Sequence, residues 1–259
     1  MRIKKLIKRI FPEFVIQCIC RIMPPPKKRI RRIPRDFLLK FREKAELLSD
    51  NRFSCKKEDL WPCFDDNIEN TPYDKHYMYH CAWASRVLAE IKPKEHVDIS
   101  SFIYFITIAS AYVPIKYYEY RPVDFNLSNL KTDFADITAL PYDDNSIESL
   151  SCMHAVEHIG LERYGDPFDP KGDLKAISEL QRVLKPEGNL LFVVPVGSIM
   201  RIQYNAHRIY TYENIINYFS QLKLISFALI TDDGLYLENA NSDIANKQTH
   251  GCGCFWFKR

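Results

Sequence analysis

Residues 136–197, DITALPYDDNSIESLSCMHAVEHIGLERYGDPFDPKGDLKAISELQRVLKPEGNLLFVVPVG, constrain the fold of this chain more than any other segment. They run from an acid behind a strand, through a Pro-Tyr-Asp-Asp-Asn turn, into a second strand with polar residues at its tip. A helix-spaced segment and a third strand follow. That order is the repeating unit of a sheet whose strands are joined by helical crossovers.

The flanking sequence continues the alternation. Strand-like runs occupy 96–100, 115–120, 146–152 and 190–194, and helix-like runs occupy 103–111, 174–184 and 212–221. The pattern predicts an α/β protein with a doubly wound, mostly parallel sheet. The end of the chain departs from it, since 223–231 and 252–258 both read as strands, and these are expected to pair antiparallel at the sheet edge. Ahead of the sheet, 35–48 and 74–91 have helical spacing, with an irregular, proline-containing connection over 59–73. The expected organisation is a basic arm and Pro-rich linker over 1–35, a helical N-terminal extension over 36–92, and the sheet domain over 93–259.

A chain of 259 residues with 46% hydrophobic and 27% charged residues can bury a substantial core, and no apolar run is long enough to cross a bilayer. Charge is unevenly placed: the first 44 residues hold 15 Lys/Arg against 3 Asp/Glu, although the whole chain is only +3. Ile3, Leu6, Ile7, Ile10 and Phe14 share one helical face and Lys4, Lys5, Lys8 and Arg9 the other, ahead of Pro24-Pro25-Pro26 and a basic run. Two readings stand for this arm: contact with an anionic membrane surface, or a terminal helix docked on its own domain. Nucleic acid is not favoured, because the body is acidic and no recognition module follows. The expected location is cytoplasmic, with membrane association under the first of the two readings of the arm.

The eight cysteines are expected to be reduced thiols. Cys18-Ile-Cys20 and Cys252-Gly-Cys254 have one-residue spacers, unlike zinc knuckles, so no metal is expected. Asp166, Asp169 and Asp173 match no calcium-loop spacing.

All eight glycines lie at Gly160 or beyond. A Walker phosphate loop and a G-x-G-x-x-G dinucleotide turn are therefore both absent from the first strand-to-helix turn. Acids nonetheless stand where a nucleoside ligand would use them: Asp98 at the first strand tip, Glu119 at the second, Asp136 after the third. Carboxylates there can accept hydrogen bonds from ribose hydroxyls and from an exocyclic amine. Each acid taken singly also fits an ordinary turn.

These residues resemble the class I S-adenosylmethionine-dependent methyltransferases. The likeness rests on Asp136-Ile-Thr-Ala-Leu-Pro141, His154-Ala-Val-Glu157-His158 and Leu180-Gln-Arg-Val-Leu-Lys185-Pro186-Glu-Gly188, within 96–258. Inside that superfamily the chain is similar to an uncharacterised methyltransferase-like group of bacterial surface-polysaccharide contexts. That similarity rests on Asp98-Ile-Ser-Ser101, Arg121-Pro122, the stretch from Glu157-His158 to Asp169-Pro170, Asn205-Ala-His207-Arg208 and Gly251-Cys-Gly-Cys-Phe-Trp256. The resemblance implies a seven-stranded Rossmann-like sheet ending in an antiparallel hairpin. It implies S-adenosylmethionine as cofactor and methyl transfer to a small-molecule or carbohydrate acceptor, in surface polysaccharide biosynthesis.

On this basis Glu119 is expected at the ribose, Asp136 and Ile137 at the adenine, and Asp98, Ser100 and Ser101 at the methionine end. His158 or His154 is the expected base on the acceptor side. Both histidines also admit a purely structural reading. Glu157, Arg163, Tyr164, Asp166, Asp169, Asn205, His207 and Arg208 are the expected acceptor contacts. The turn Asp98-Ile99-Ser100-Ser101-Phe102 departs from the family's glycine-rich turn. It motivates a second reading, a catalytically silent binding or scaffold protein at the membrane.

Overall fold

The strand Leu184–Val196 shows why this sequence forms a two-faced sheet. Leu190, Phe192, Val194 and Val196 enter one apolar cluster, while Leu191 and Val193 enter the other. Side chains alternate sides along a strand, so a strand apolar at every position needs cover on both faces. The helices supply it.

The computed structural model describes residues 33–259. The basic arm, with Cys18 and Cys20, lies outside the described residues apart from its last few positions. The chain divides into two units, Met1–Thr71 and Pro72–Arg259. In the first, helix α1 (Arg35–Leu48) has no buried residue. A single 3-10 turn, Lys57–Asp59, follows, and Phe37 meets the ring of Phe64 edge-on at 5.2 Å.

The second unit holds an eight-stranded sheet in the order β3-β2-β1-β4-β5-β10-β8-β9. Its strands are β1 His96–Ile99, β2 Ile115–Glu119, β3 Leu130–Phe134, β4 Ile147–Met153, β5 Leu184–Val196, β8 Lys223–Ile230, β9 Tyr236–Leu237 and β10 Gly251–Lys258. β1 to β5 are mutually parallel. β10 runs antiparallel between β5 and β8. The expected doubly wound, mostly parallel sheet is thus present. The seven expected strands gain an eighth of two residues, β9, which takes the sheet edge from the β8–β10 pair. A separate hairpin, β6 Arg201–Gln203 with β7 His207–Ile209, was not legible in the sequence.

One face carries α4 (Gly172–Val183) and α5 (Tyr212–Tyr218), through Ala176, Ile177, Leu180, Ile215 and Phe219. The other carries α2 (Lys75–Ile91) and α3 (Ile103–Ala109), through Trp83, Val87, Leu88, Phe105 and Ile106. Each of the Val, Leu, Ile and Phe side chains among them contributes about 1.5–3 kcal/mol by leaving water. A short helix, α6 (Ser242–Ala245), precedes β10. Asp74 caps α2 by accepting from the Tyr77 N–H at 3.1 Å, a contact worth ~1 kcal/mol. Helix 75–91 therefore packs in the unit of the sheet.

The order reverses at β1, whose neighbours are β2 and β4. Crossovers leave this point toward opposite faces, so a crevice opens at the carboxyl ends of the strands. Among the described residues no helix is long and apolar enough to cross a membrane.

Candidate functional site

A cavity of about 460 Å³ occupies that crevice. Its floor is the turn after β1. Asp98 is fully buried and accepts the main-chain N–H of Ser101 at 3.0 Å and the hydroxyl of Ser151. Ser151 Oγ also lies 2.7 Å from His96 Nε2, and His96 Nδ1 lies 2.8 Å from Ser149 Oγ. This file of buried polar groups crosses from β1 to β4 and fixes the turn. Burial pushes the Asp98 carboxyl up to about 7 and His96 down to about 3.

Ser100 takes the left-handed conformation, at φ +58°. Glycine adopts that region freely, whereas a Cβ there costs about 1–2 kcal/mol. Two hydrogen bonds oppose the cost, from Ser100 N (2.8 Å) and Oγ (3.5 Å) to the Tyr118 carbonyl. The glycine-free turn thus reaches a left-handed geometry with serine. Ser100, Ser101 and Phe102 all line the cavity. Asp98, expected beside them at the methionine end, does not: its carboxyl holds Ser101 from beneath. The hydroxyl of Ser101 is engaged too, accepting the Met153 N–H at 3.1 Å.

Glu119 and Asp136 both face the cavity. Glu119 is oriented by the Tyr117 hydroxyl (3.3 Å) and by the Arg121 N–H (3.3 Å). Asp136 Oδ1 accepts from the N–H and hydroxyl of Thr138, at 2.8 and 2.7 Å, and these bonds leave Oδ2 open. Ile137 is buried beside it and lines the same wall.

The loop that presents Asp136 is tied down by α4. Arg182 donates to both oxygens of Glu179 and to the carbonyls of Leu140 and Tyr142, and Glu179 accepts the Leu140 N–H. The Leu140-Pro141 and Leu180-Gln-Arg182 strings are therefore two halves of one clamp.

The opposite wall follows β4. Gly160 is at φ +79°, and a Cβ there would lie 2.0 Å from the Asp169 carbonyl, so only glycine fits. Asp166 closes the loop by accepting the Gly160 N–H at 2.7 Å, and Asp169 pairs with Lys175 at 2.6 Å. Both acids line the cavity, as does Tyr164. The guanidinium of Arg121 lies 4.4 Å from the Tyr164 ring centre and that of Arg163 4.9 Å. Arg163 also donates to the Ala206 carbonyl at 2.9 Å and does not line the cavity.

The two candidate bases differ. His158 lines the cavity; its Nδ1 donates to the Ala206 carbonyl at 2.7 Å with Arg163 3.2 Å away, and its Nε2 lies 3.9 Å from Glu157 Oε1, beyond hydrogen-bond reach. Burial lowers its pKa. His154, at φ +56°, uses both nitrogens: Nδ1 is 2.7 Å from Glu157 Oε1 and Nε2 is 3.3 Å from Cys252 Sγ. Burial opposes a charge on His154, but its contacts with Cys252 and Glu157 outweigh burial and push its pKa up to about 10. Burial likewise raises Glu157, and His154 outweighs it, leaving that carboxyl below its ordinary value.

Besides Arg163, four more expected acceptor contacts lie elsewhere. Glu157 is buried against His154. Arg208 is buried, with its guanidinium on the Ile159 carbonyl (2.7 Å) and near Asp173 (3.5 Å), so it has no free face for an anion. His207 stacks on His250 at 4.9 Å, and Asn205 is exposed in the β6–β7 turn. All four sit outside the cavity lining. Conversely, Tyr77 from α2, Tyr117, Tyr120 and Arg121 do line it. Of these, only Arg121 was singled out in the sequence, in the Arg121-Pro122 pair of the resemblance.

Structures of methyltransferases share this fold. A protein assigned as a sarcosine dimethylglycine methyltransferase from Galdieria sulphuraria superposes with a TM-score of 0.52 at 14% identity, over 70% of this chain and 85% of that one. The N-methyltransferase NodS of Bradyrhizobium japonicum, solved with S-adenosyl-L-homocysteine, gives 0.46 at 11% identity, over 75% and 89%. The methyltransferase in complex with the Haloferax volcanii activator Trm112 gives 0.48 at 16%, over 71% and 90%. No curated protein matches the chain. The family described as Caenorhabditis protein of unknown function, DUF268, matches residues 117–247. That match covers just over half of the sequence and runs from β2 past α6, through both carboxylate walls of the cavity: the chain belongs to the DUF268 family.

Proposed function

We propose that this protein is an S-adenosylmethionine-dependent methyltransferase acting on the oxygen or nitrogen of a small polar acceptor. One observation carries the reading: Glu119, Asp136 and the Ser100–Ser101 turn, from three successive strand ends, line a single cavity at the point where the strand order reverses. The residues fit the cofactor. A cavity near 460 Å³ lies in the range of small-molecule sites, and Asp136 keeps an oxygen free for an amine donor. Glu119, held from both sides, accepts from the ribose hydroxyls, and Ile137 packs against the adenine. The serine turn receives the methionine end.

The cofactor, when bound, supplies an electrophilic methyl group on a sulfonium. The chain supplies position and a proton sink. His158 is the base, because its Nδ1–H is fixed on the Ala206 carbonyl and its Nε2, 3.9 Å from Glu157 Oε1, is left without a hydrogen bond to take a proton. Nε2 of His158 would take up the proton that the acceptor oxygen or nitrogen gives up when it is methylated, the ring ending as imidazolium. His154 is not free for this role.

The acceptor is a carbohydrate of the kind built into surface polysaccharides. The resemblance of the sequence supports this, as does a wall that combines the Tyr164 ring with Asp166 and Asp169, an apolar face beside hydroxyl acceptors. The basic arm holds the protein at an anionic membrane surface. Flotation with anionic vesicles should be lost when residues 1–35 are removed, and equal flotation of both forms would rule this out.

Release of S-adenosylhomocysteine by the full chain, given S-adenosylmethionine and a panel of nucleotide-linked and free sugars, tests the enzyme. Product is expected with at least one acceptor and not with His158→Asn. Cofactor binding without product from any acceptor would favour the silent binding protein instead, for which the strained Ser100 is the supporting observation.

A further inference from the structure

Six of the seven histidines gather behind the acceptor wall, and His154 and His158, which both line the cavity, are only its front. The ring of His154 lies 6.2 Å from His76 and parallel to it within 5°, and 5.1 Å from His80. His76 faces His250 at 5.5 Å, which in turn stacks on His207. Methyl transfer needs one base, so it leaves this cluster unexplained.

Within it, one ligand atom each of His76, His154 and Cys252 lie within 4.8 Å of one another. They come from α2, from the turn after β4, and from β10, so the sheet and one covering helix build the group together. We propose that His76, His154 and Cys252 bind one zinc ion. Zinc takes imidazole nitrogen at ~2.0–2.1 Å and thiolate sulfur at ~2.3 Å in a tetrahedron, which sets donor-to-donor edges of roughly 3.3–3.6 Å. The His154 Nε2 to Cys252 Sγ separation is 3.3 Å, already such an edge. Only His76 has to close in, by about 1.5 Å at most on those edges, and it stands in the first turn of a capped helix.

Two further observations point to a cation here. Glu157 Oε1 receives Nδ1 of His154 at 2.7 Å, the arrangement by which a carboxylate behind a metal-bound imidazole fixes its tautomer and turns the other nitrogen to the ion. Glu157 Oε2 is buried without a hydrogen-bond partner among the described residues, an expensive state for a carboxylate at 1% exposure. The charges close: a divalent ion balances the Cys252 thiolate and the Glu157 carboxylate, with both imidazoles neutral. On binding, the thiol proton and any proton on His154 Nε2 leave to solvent. Sulfur with imidazole selects zinc over magnesium or calcium.

The test uses the full chain without an affinity tag, stripped with a chelator and titrated with Co2+, then with Zn2+, in the absence of any cofactor. The expected result is a thiolate-to-cobalt charge-transfer band and tetrahedral visible bands that saturate at one equivalent and are displaced by Zn2+. Cys252→Ser should abolish the charge-transfer band, whereas Cys254→Ser, an equally buried thiol of the same strand, should keep it. Glu157→Gln should weaken Zn2+ about 10- to 100-fold. Should Cys252→Ser fail to fold, the half-buried His76 replaces it: Zn2+ should raise the Tm of the wild type and not of His76→Ala. A wild-type chain without the cobalt bands, or a folded Cys252→Ser or His76→Ala that binds like wild type, would overturn the proposal.

Discussion

Ser101 donates its main-chain N–H to Asp98 Oδ1 at 3.0 Å, three residues back across the turn between β1 and α3. The bond joins a fully buried carboxyl to a residue of the cavity floor. Burial raises the Asp98 pKa from 3.8 to about 7. The folded protein therefore holds the proton more tightly than the unfolded chain does. The resulting stability is fully present below pH 3.8 and is lost as the pH rises through about 7.

Asp98→Asn keeps the shape and an acceptor for Ser101 but removes the titration. The stability of this variant relative to wild type, from denaturant unfolding, should increase as the pH climbs from about 4 to about 7 and level off above. A difference that is flat across that window would show that Asp98 is ionised in the folded protein.

Ser100 at φ +58° supplies a second prediction. Ser100→Gly removes the left-handed cost and gains chain entropy in the unfolded state, so its stability should stay within about 1 kcal/mol of wild type. Ser100→Val places a β-branched side chain at positive φ and should cost about 1–3 kcal/mol. Equal stabilities for the two variants would show that this residue relaxes out of the left-handed region.

His158 sets the pH dependence of the reaction. Burial holds its pKa below 6.5, and only the neutral ring accepts a proton. The rate should be level above pH 6.5 and fall on the acid side, with a midpoint below that value. Replacement by Asn should lower the rate about 10²- to 10⁴-fold while leaving cofactor affinity in place. A rate that rises as the pH drops through 6.5 would remove His158 from the role.

Much of this fold was legible because its signals are local. Unbroken apolar runs such as 190–194 and the spacing of Ala176, Ile177 and Leu180 each declare one element, and alternation orders them. The β6–β7 hairpin was not legible, because three-residue strands carry no period. Glu119 and Asp136 line the cavity because a strand end fixes its own place in a doubly wound sheet. The expected residues that lie outside the cavity lining are those whose surroundings come from far along the chain. Arg208 reads as a free cation until the Ile159 carbonyl, forty-nine positions away, is seen to hold it. Cys252 reads as half of a poorly spaced pair until His154, 98 positions away, is found at 3.3 Å.

Calorimetric titration of the full chain with S-adenosylmethionine and S-adenosylhomocysteine tests the central claim most directly, when run beside Glu119→Ala and Asp136→Ala. Saturable binding by wild type should weaken at least about tenfold in each variant, the loss of roughly one charge-assisted hydrogen bond apiece. A folded wild type that binds neither compound, or variants that bind both as well as wild type does, would contradict the placement of the cofactor in this cavity.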